Sequence, residues 1–94
     1  MIYKVFVIYD MKAESYGTPI FMKSKGEFLR SFMDAVNADN SYLNKHPDDY
    51  YAFEVGEYDD ANGIVVNYDE RVSLGCALQY LKRPLPVVAE GAGA

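Results

Sequence analysis

The chain opens with Ile2-Tyr3-Lys4-Val5-Phe6-Val7-Ile8-Tyr9, a β-branched and aromatic run broken only by Lys4. Residues of this kind fit a pleated surface. Both alternating sets are apolar: Ile2, Phe6 and Ile8 on one side, Tyr3, Val5, Val7 and Tyr9 on the other. Such a strand belongs in the middle of a sheet, with cover on at least one face.

The flanking sequence supplies its neighbours. Asp10 to Thr18 reads as a loop, because Lys12, Glu14, Ser15 and Gly17 break any apolar period before Pro19. Ile20-Phe21-Met22-Lys23 predicts a short second strand pairing with the first, and Pro19 at its start suits an edge. Ser24-Lys25-Gly26-Glu27 has the pattern of a capping box. The helix it opens runs to about Asn37, with Phe28, Phe32 and Ala35 or Val36, and Leu29, Met33 and Val36, at helical spacing. Ser41 to Lys45 predicts one helical turn in a polar connection. Tyr50 to Tyr58 returns to strand, with Tyr51, Phe53 and Val55 on one face and Gly56 marking a bulge or a close approach. Asp59-Asp60-Ala61-Asn62-Gly63 predicts a hairpin turn in which Asn62 and Gly63 take positive φ. Ile64 to Tyr68 is the returning strand. Val72, Cys76 and Tyr80, with Leu74, Leu78 and Leu81, predict a short amphipathic helix over about 74–82, ended by Pro84 and Pro86.

The resulting class is α+β: a mostly antiparallel four-stranded sheet in the order strand-strand-helix-strand-strand. One helix packs on it and a short C-terminal helix follows. Residues 1–83 form the single domain, and residues 84–94, ending in Gly and Ala, read as a flexible tail. The Tyr-rich second face of the sheet needs cover from the terminal helix or another subunit, so a homo-oligomer is expected.

Composition narrows the function. Hydrophobic residues make up 50% of the 94 and charged residues 24%, which excludes wholesale disorder. No run approaches the ~18 apolar residues of a membrane span, and the N-terminal stretch lacks the features of a signal peptide. A location off the membrane is expected. The lone Cys76 allows no intrachain disulfide and fits a reducing compartment. With one Cys and one His, zinc sites of the thiol–imidazole kind are excluded.

Tests for chemistry point away from an enzyme. Setting Gly63 at the sixth position of an EF-hand loop puts Tyr58 first, where a carboxylate is required. His46-Pro47-Asp48-Asp49 reads as a turn. Cys76 lies on an apolar stripe and reads as a small core residue. No phosphate-loop pattern is present. No catalytic residue, metal or cofactor is expected.

Charge is uneven. The net charge is -5. Residues 1–30 carry five basic against three acidic side chains, and residues 31–70 one basic against ten acidic. Lys23 and Lys25 flank the start of the first helix, where free amides attract phosphate. Lys12 and Arg30 extend that track, and Tyr9, Tyr16 and Phe21 are candidates for stacking on bases. These seven residues form the candidate single-stranded-DNA site. The alternative is a protein-interaction surface built from Glu54, Glu57, Asp59, Asp60, Asp69 and Glu70, facing a basic partner.

Several blocks also occur together in order. They are Tyr3 to Tyr16, Pro19-Ile20-Phe21, Ser24-Lys25-Gly26-Glu27, Arg30 to Asn37, Lys45-His46-Pro47-Asp48-Asp49-Tyr50 and Phe53 to Asp60. Over roughly residues 2–70 the chain resembles the small nonstructural protein, nonstructural protein five, of gokushoviruses, single-stranded-DNA phages of the microvirus family. The resemblance implies a non-virion bacteriophage protein in the host bacterial cytoplasm. It further implies a role in shifting viral DNA replication toward single-strand synthesis and packaging, with DNA binding suggested, and makes a phage or host replication protein the natural basic partner of the alternative.

Overall fold

β1 (Ile2–Asp10) is an inner strand, as its two apolar faces require. On one side it pairs antiparallel with β2 (Ser15–Tyr16) and β3 (Ile20–Met22), and on the other with β4 (Tyr50–Asp59). β5 (Ile64–Cys76) pairs antiparallel with β4 and ends the sheet. The computed structural model describes residues 1–82, so the expected tail, residues 84–94, lies outside the described residues. The fold is α+β with an antiparallel sheet of five strands. The fifth arises because the first edge is in two pieces, interrupted at Gly17-Thr18-Pro19 between the Tyr9↔Tyr16 and Phe6↔Ile20 pairs.

Helix α1 (Lys25–Val36) begins where the capping pattern put it, with Ser24 Oγ accepting from the Glu27 N–H at 3.1 Å. Its apolar stripe buries Phe28, Phe32 and Val36 against Phe6 and Ala52 of the sheet. Phe28 stacks on Phe6 with ring centroids 4.2 Å apart and on Phe32 at 5.7 Å. A short helix α2 (Tyr42–Lys45) follows, with Ser41 Oγ accepting from the Asn44 N–H at 3.0 Å. His46-Pro47-Asp48-Asp49 is the turn expected, one 3-10 turn over Pro47–Asp49.

The C-terminal segment differs from the expected helix. β5 continues to Cys76, and a single 3-10 turn covers Ala77–Tyr80. Gly75 is the reason: its φ of +101° is foreign to a helix and suits glycine. The apolar spacing serves the core all the same. Ala77 is fully buried, and Tyr80 meets Phe32 edge-on at 5.4 Å. Asn37 fastens this segment: its Nδ2 donates to the Met33 and Tyr80 carbonyls at 2.8 and 3.0 Å, and its Oδ1 accepts from the Lys82 N–H at 2.7 Å. The segment therefore packs on the α1 side of the sheet and leaves the other face open.

Gly56 meets both expectations. The β1–β4 register shifts there, and a Cβ would lie 2.3 Å from the Val66 carbonyl oxygen. The hairpin is built differently from the two-residue turn implied by Asn62-Gly63. Asp59 pairs with Ile64 across a four-residue loop, and of the expected pair Gly63 alone takes positive φ, +70°.

Candidate nucleic-acid interface

Register assigns the side chains to faces. Tyr9 is paired with Tyr16, Val7 with Phe53, Val5 with Phe21 and Tyr3 with Tyr58. Paired side chains share a face, so these residues all stand on the face that α1 does not cover. They form two groups. Tyr3, Phe21 and Tyr58 lie at the hairpin end, with Tyr58 at 6.2 Å from Tyr3 and 5.5 Å from Phe21 between centroids. With Asp60 they line a cavity of about 500 Å³. Tyr9, Tyr16 and Phe53 form the second group, with Tyr16 at 4.7 Å from Tyr9 and 6.4 Å from Phe53. The two groups are about 20 Å apart along β1, at ~3.3 Å per residue.

Arg71 completes the second group. Its Cζ lies 4.9 Å from the Tyr16 ring centroid and 5.5 Å from that of Phe53, and its guanidinium donates to the Tyr16 hydroxyl. A guanidinium over aromatic faces is held by the ring quadrupole. The rings roof the sheet themselves: Val5 and Val7 are buried although no described element packs over them. Tyr16 and Phe21 remain 46% exposed, so flat ring surface is available to a ligand.

The seven candidate DNA-binding residues divide between the two sides of the sheet. Tyr9, Tyr16 and Phe21 share the open face. Lys12 sits in the loop joining β1 to β2, beside the Tyr9–Tyr16 pair, with its N–H donating to Asp10 Oδ1 at 3.0 Å. Lys23 follows β3 directly. Lys25 and Arg30 are exposed on α1, which packs on the opposite face. The structure thus separates the helix-start cations from the rings. It adds Phe53, Tyr58, Tyr3 and Arg71, which the sequence reading left out of the site. Alternation along β4 could have found Phe53, which it groups with Tyr51; Tyr58 reaches the same face only through the register shift at Val55-Gly56. Arg71 stood between the expected strand, Ile64 to Tyr68, and the expected helix over about 74–82, and no local signal marked it.

The acidic residues are mostly engaged by the fold. Glu54 is 7% exposed, on the α1 side of the sheet, so a partner cannot reach it as the alternative reading required. Its Oε2 accepts from the Tyr68 hydroxyl at 2.5 Å and lies 3.6 Å from Lys4 Nζ. Burial, and then the bond to Glu54, push the Tyr68 hydroxyl well above its ordinary pKa. Glu57 pairs with the same ammonium at 3.4 Å. Asp59 caps the hairpin loop, accepting from the Ala61 N–H at 2.9 Å. Asp60 pairs with the N-terminal ammonium at 2.6 Å, whose pKa is raised chiefly by that hydrogen bond. Asp69 and Glu70 are exposed on β5. Cys76 is half-buried, its thiol 3.2 Å from the Pro47 carbonyl oxygen. Among the described residues no helix is long and apolar enough to cross a membrane.

A family model described as Phage ORF5 protein matches residues 3–80, which take in all five strands apart from Ile2 at the start of β1. The match agrees with the resemblance to a small phage nonstructural protein. No curated protein and no solved structure matches the chain.

Proposed function

Because the chain belongs to the phage ORF5 protein family and is thereby a phage nonstructural protein, we propose that it binds single-stranded DNA on its open aromatic face. Through that binding it regulates viral DNA replication at the switch to single-strand synthesis and packaging. It does so in the host bacterial cytoplasm, without catalysing a reaction and without a cofactor. The observation that carries this reading is the Tyr9–Tyr16–Phe53 group with Arg71 across it. Rings on a sheet give bases a stacking surface worth ~1–3 kcal/mol each, whatever the sequence. Arg71 and Lys12 supply local positive charge beside the rings. The net charge of -5 makes that local placement decisive, and the contacts of these cations to phosphate weaken as salt rises.

The test is fluorescence anisotropy of a labelled, mixed-sequence single-stranded oligonucleotide at low and moderate salt. Binding should weaken with salt. Tyr16→Ala and Arg71→Glu should each weaken it about tenfold, the equivalent of ~1.4 kcal/mol within the stacking range. Paired Lys23→Glu and Lys25→Glu substitutions should act less strongly. No binding at low salt overturns the proposal. Loss through the helix-start pair alone moves the site to α1.

Self-association is the competing use of the same rings and would give the homo-oligomer expected from the sequence. Sedimentation of the chain with and without oligonucleotide separates the two. Under the DNA reading, any oligomer formed through these rings dissociates as DNA is added.

A further inference from the structure

β5 ends the sheet, and among the described residues no strand pairs with its outer edge. Backbone N–H and C=O groups along that edge are open to another extended chain. Next to the hairpin loop Ile64, Val65 and Val66 are 52%, 53% and 57% exposed. Proteins commonly blunt such an edge with a charge, a proline or a bulge. Here three β-branched residues stand in a row. The ladder is disturbed only after Asn67, where Tyr68 to Arg71 bulge between the Gly56↔Asn67 and Glu54↔Val72 pairs. Acids stand at both ends of the apolar run: Asp59 and Asp60 before it, Asp69 and Glu70 after it. Beside it opens a cavity of about 250 Å³ lined by Ile2, Glu57, Asp59, Asn62, Ile64 and Val66. Of its two carboxylates Glu57 already pairs with Lys4, whereas Asp59 accepts, among the described residues, only from the neutral Ala61 and Asn62 groups. Apolar walls beside Asp59 therefore suit a Lys or Arg side chain, whose stem is apolar and whose head is charged.

We propose that the outer edge of β5 over residues 64–67 accepts an extended segment of a partner protein in which apolar and basic side chains alternate. Main-chain hydrogen bonds of strand addition hold the segment, and the cavity and its acids select the basic side chain. Charge decides against a second copy of this chain as occupant. A two-fold pairing through this edge must be antiparallel. It brings the Asp59–Asp60 end of the run in one copy to the Asp69–Glu70 end in the other, so acidic flank meets acidic flank. A basic segment meets the same flanks with attraction. The site is an edge, separate from the aromatic platform, and stands or falls independently of DNA binding.

The probe is a short, end-capped, fluorescent peptide of alternating Lys and Val, titrated into the full chain at low salt. The matching Glu-Val peptide is the control, and amide hydrogen exchange reports location. The Lys-Val peptide should bind, and amides of residues 64–67 should gain protection. Val66→Lys, and separately the pair Asp69→Lys and Glu70→Lys, should weaken binding by about tenfold, a change of ~1.4 kcal/mol. All three positions are exposed, so the fold is expected to survive, and circular dichroism checks it. Three results overturn the proposal. They are equal or absent binding of the two peptides, protection elsewhere than on β5, and protection of residues 64–67 by concentration-dependent self-association without peptide.

Discussion

On one face of the sheet Phe6, Phe28, Phe32 and Tyr80 stack into a closed core beneath α1. On the other, Tyr9, Tyr16, Phe53 and Tyr58 lie on the strands with no described element above them. Both faces hold rings 4–7 Å apart, the range of favourable ring pairs, yet the rings do different things. Under α1 each ring fills space that nothing else can fill. On the open face the rings cover Val5 and Val7 and keep their outer surfaces in solvent. The first arrangement is spent on stability, and the second leaves contact surface for a ligand.

The largest effect expected is on the covered side. Phe28→Ala should cost ~3–5 kcal/mol, as for other buried Phe truncations. That is a large part of the ~5–15 kcal/mol that holds a domain together, so a urea titration should show a much lower midpoint or no folded baseline. Tyr16→Ala should cost under ~1 kcal/mol by the same measurement, since surface substitutions remove little, while it reduces DNA binding. A Tyr16→Ala loss as large as that of Phe28→Ala would break the contrast. It would mean that the open face is covered in solution by another copy of the chain.

The contrast was only half legible in the sequence. Alternation in Ile2 to Tyr9 and helical spacing in Phe28 to Val36 identify the covered side, because burial imposes a period on the residues that make it. The Tyr-rich second face was legible for the same reason. Its occupant was not, because exposed rings carry no record of what they touch. The cation over Tyr16 was invisible. Arg71 comes from a strand three places away from that of Tyr16 in the sheet, and that contact depends on a β4–β5 register set by bulges at Gly56 and Gly75. The segment over 74–82 misled through real apolar spacing. A turn and a helix bury residues at similar intervals, and the single glycine at positive φ decided between them.

A smaller effect sharpens the description of the covered side, which also buries the carboxylate of Glu54. Tyr68 donates to buried Glu54, and its pKa is raised above the ordinary 10.0. A raised folded pKa stabilises the fold fully below the unfolded value and loses that contribution as pH rises toward the folded one. Tyr68→Phe should therefore be less stable than the parent at pH 8, by ~1.5–3 kcal/mol for a hydrogen bond to a charged group. Above pH 10 the gap should narrow. Urea midpoints of both proteins at several pH values test this. A gap that stays constant or widens into alkali would show that Tyr68 is not held protonated by its burial and its bond to Glu54.

The smallest effect separates two loops that are built alike. Met11 to Glu14 joins the Asp10↔Ser15 pair, and Asp60 to Gly63 joins the Asp59↔Ile64 pair. In each, the preceding Asp accepts from loop amides: Asp10 from Lys12 and Ala13, Asp59 from Ala61. In each, the fourth loop residue has positive φ, 56° at Glu14 and 70° at Gly63. Only the second loop uses the residue suited to it. A side chain in that conformation costs ~1–2 kcal/mol, and glycine returns part of the gain through the entropy of its unfolded chain. Glu14→Gly should therefore stabilise by ~0.5–1 kcal/mol, and Gly63→Ala should destabilise by a similar amount. Paired urea titrations decide it. If Glu14→Gly destabilises, the Glu14 side chain makes a compensating interaction beside the Tyr9–Tyr16 pair, and that loop then belongs to the ligand-facing surface as well as to the fold.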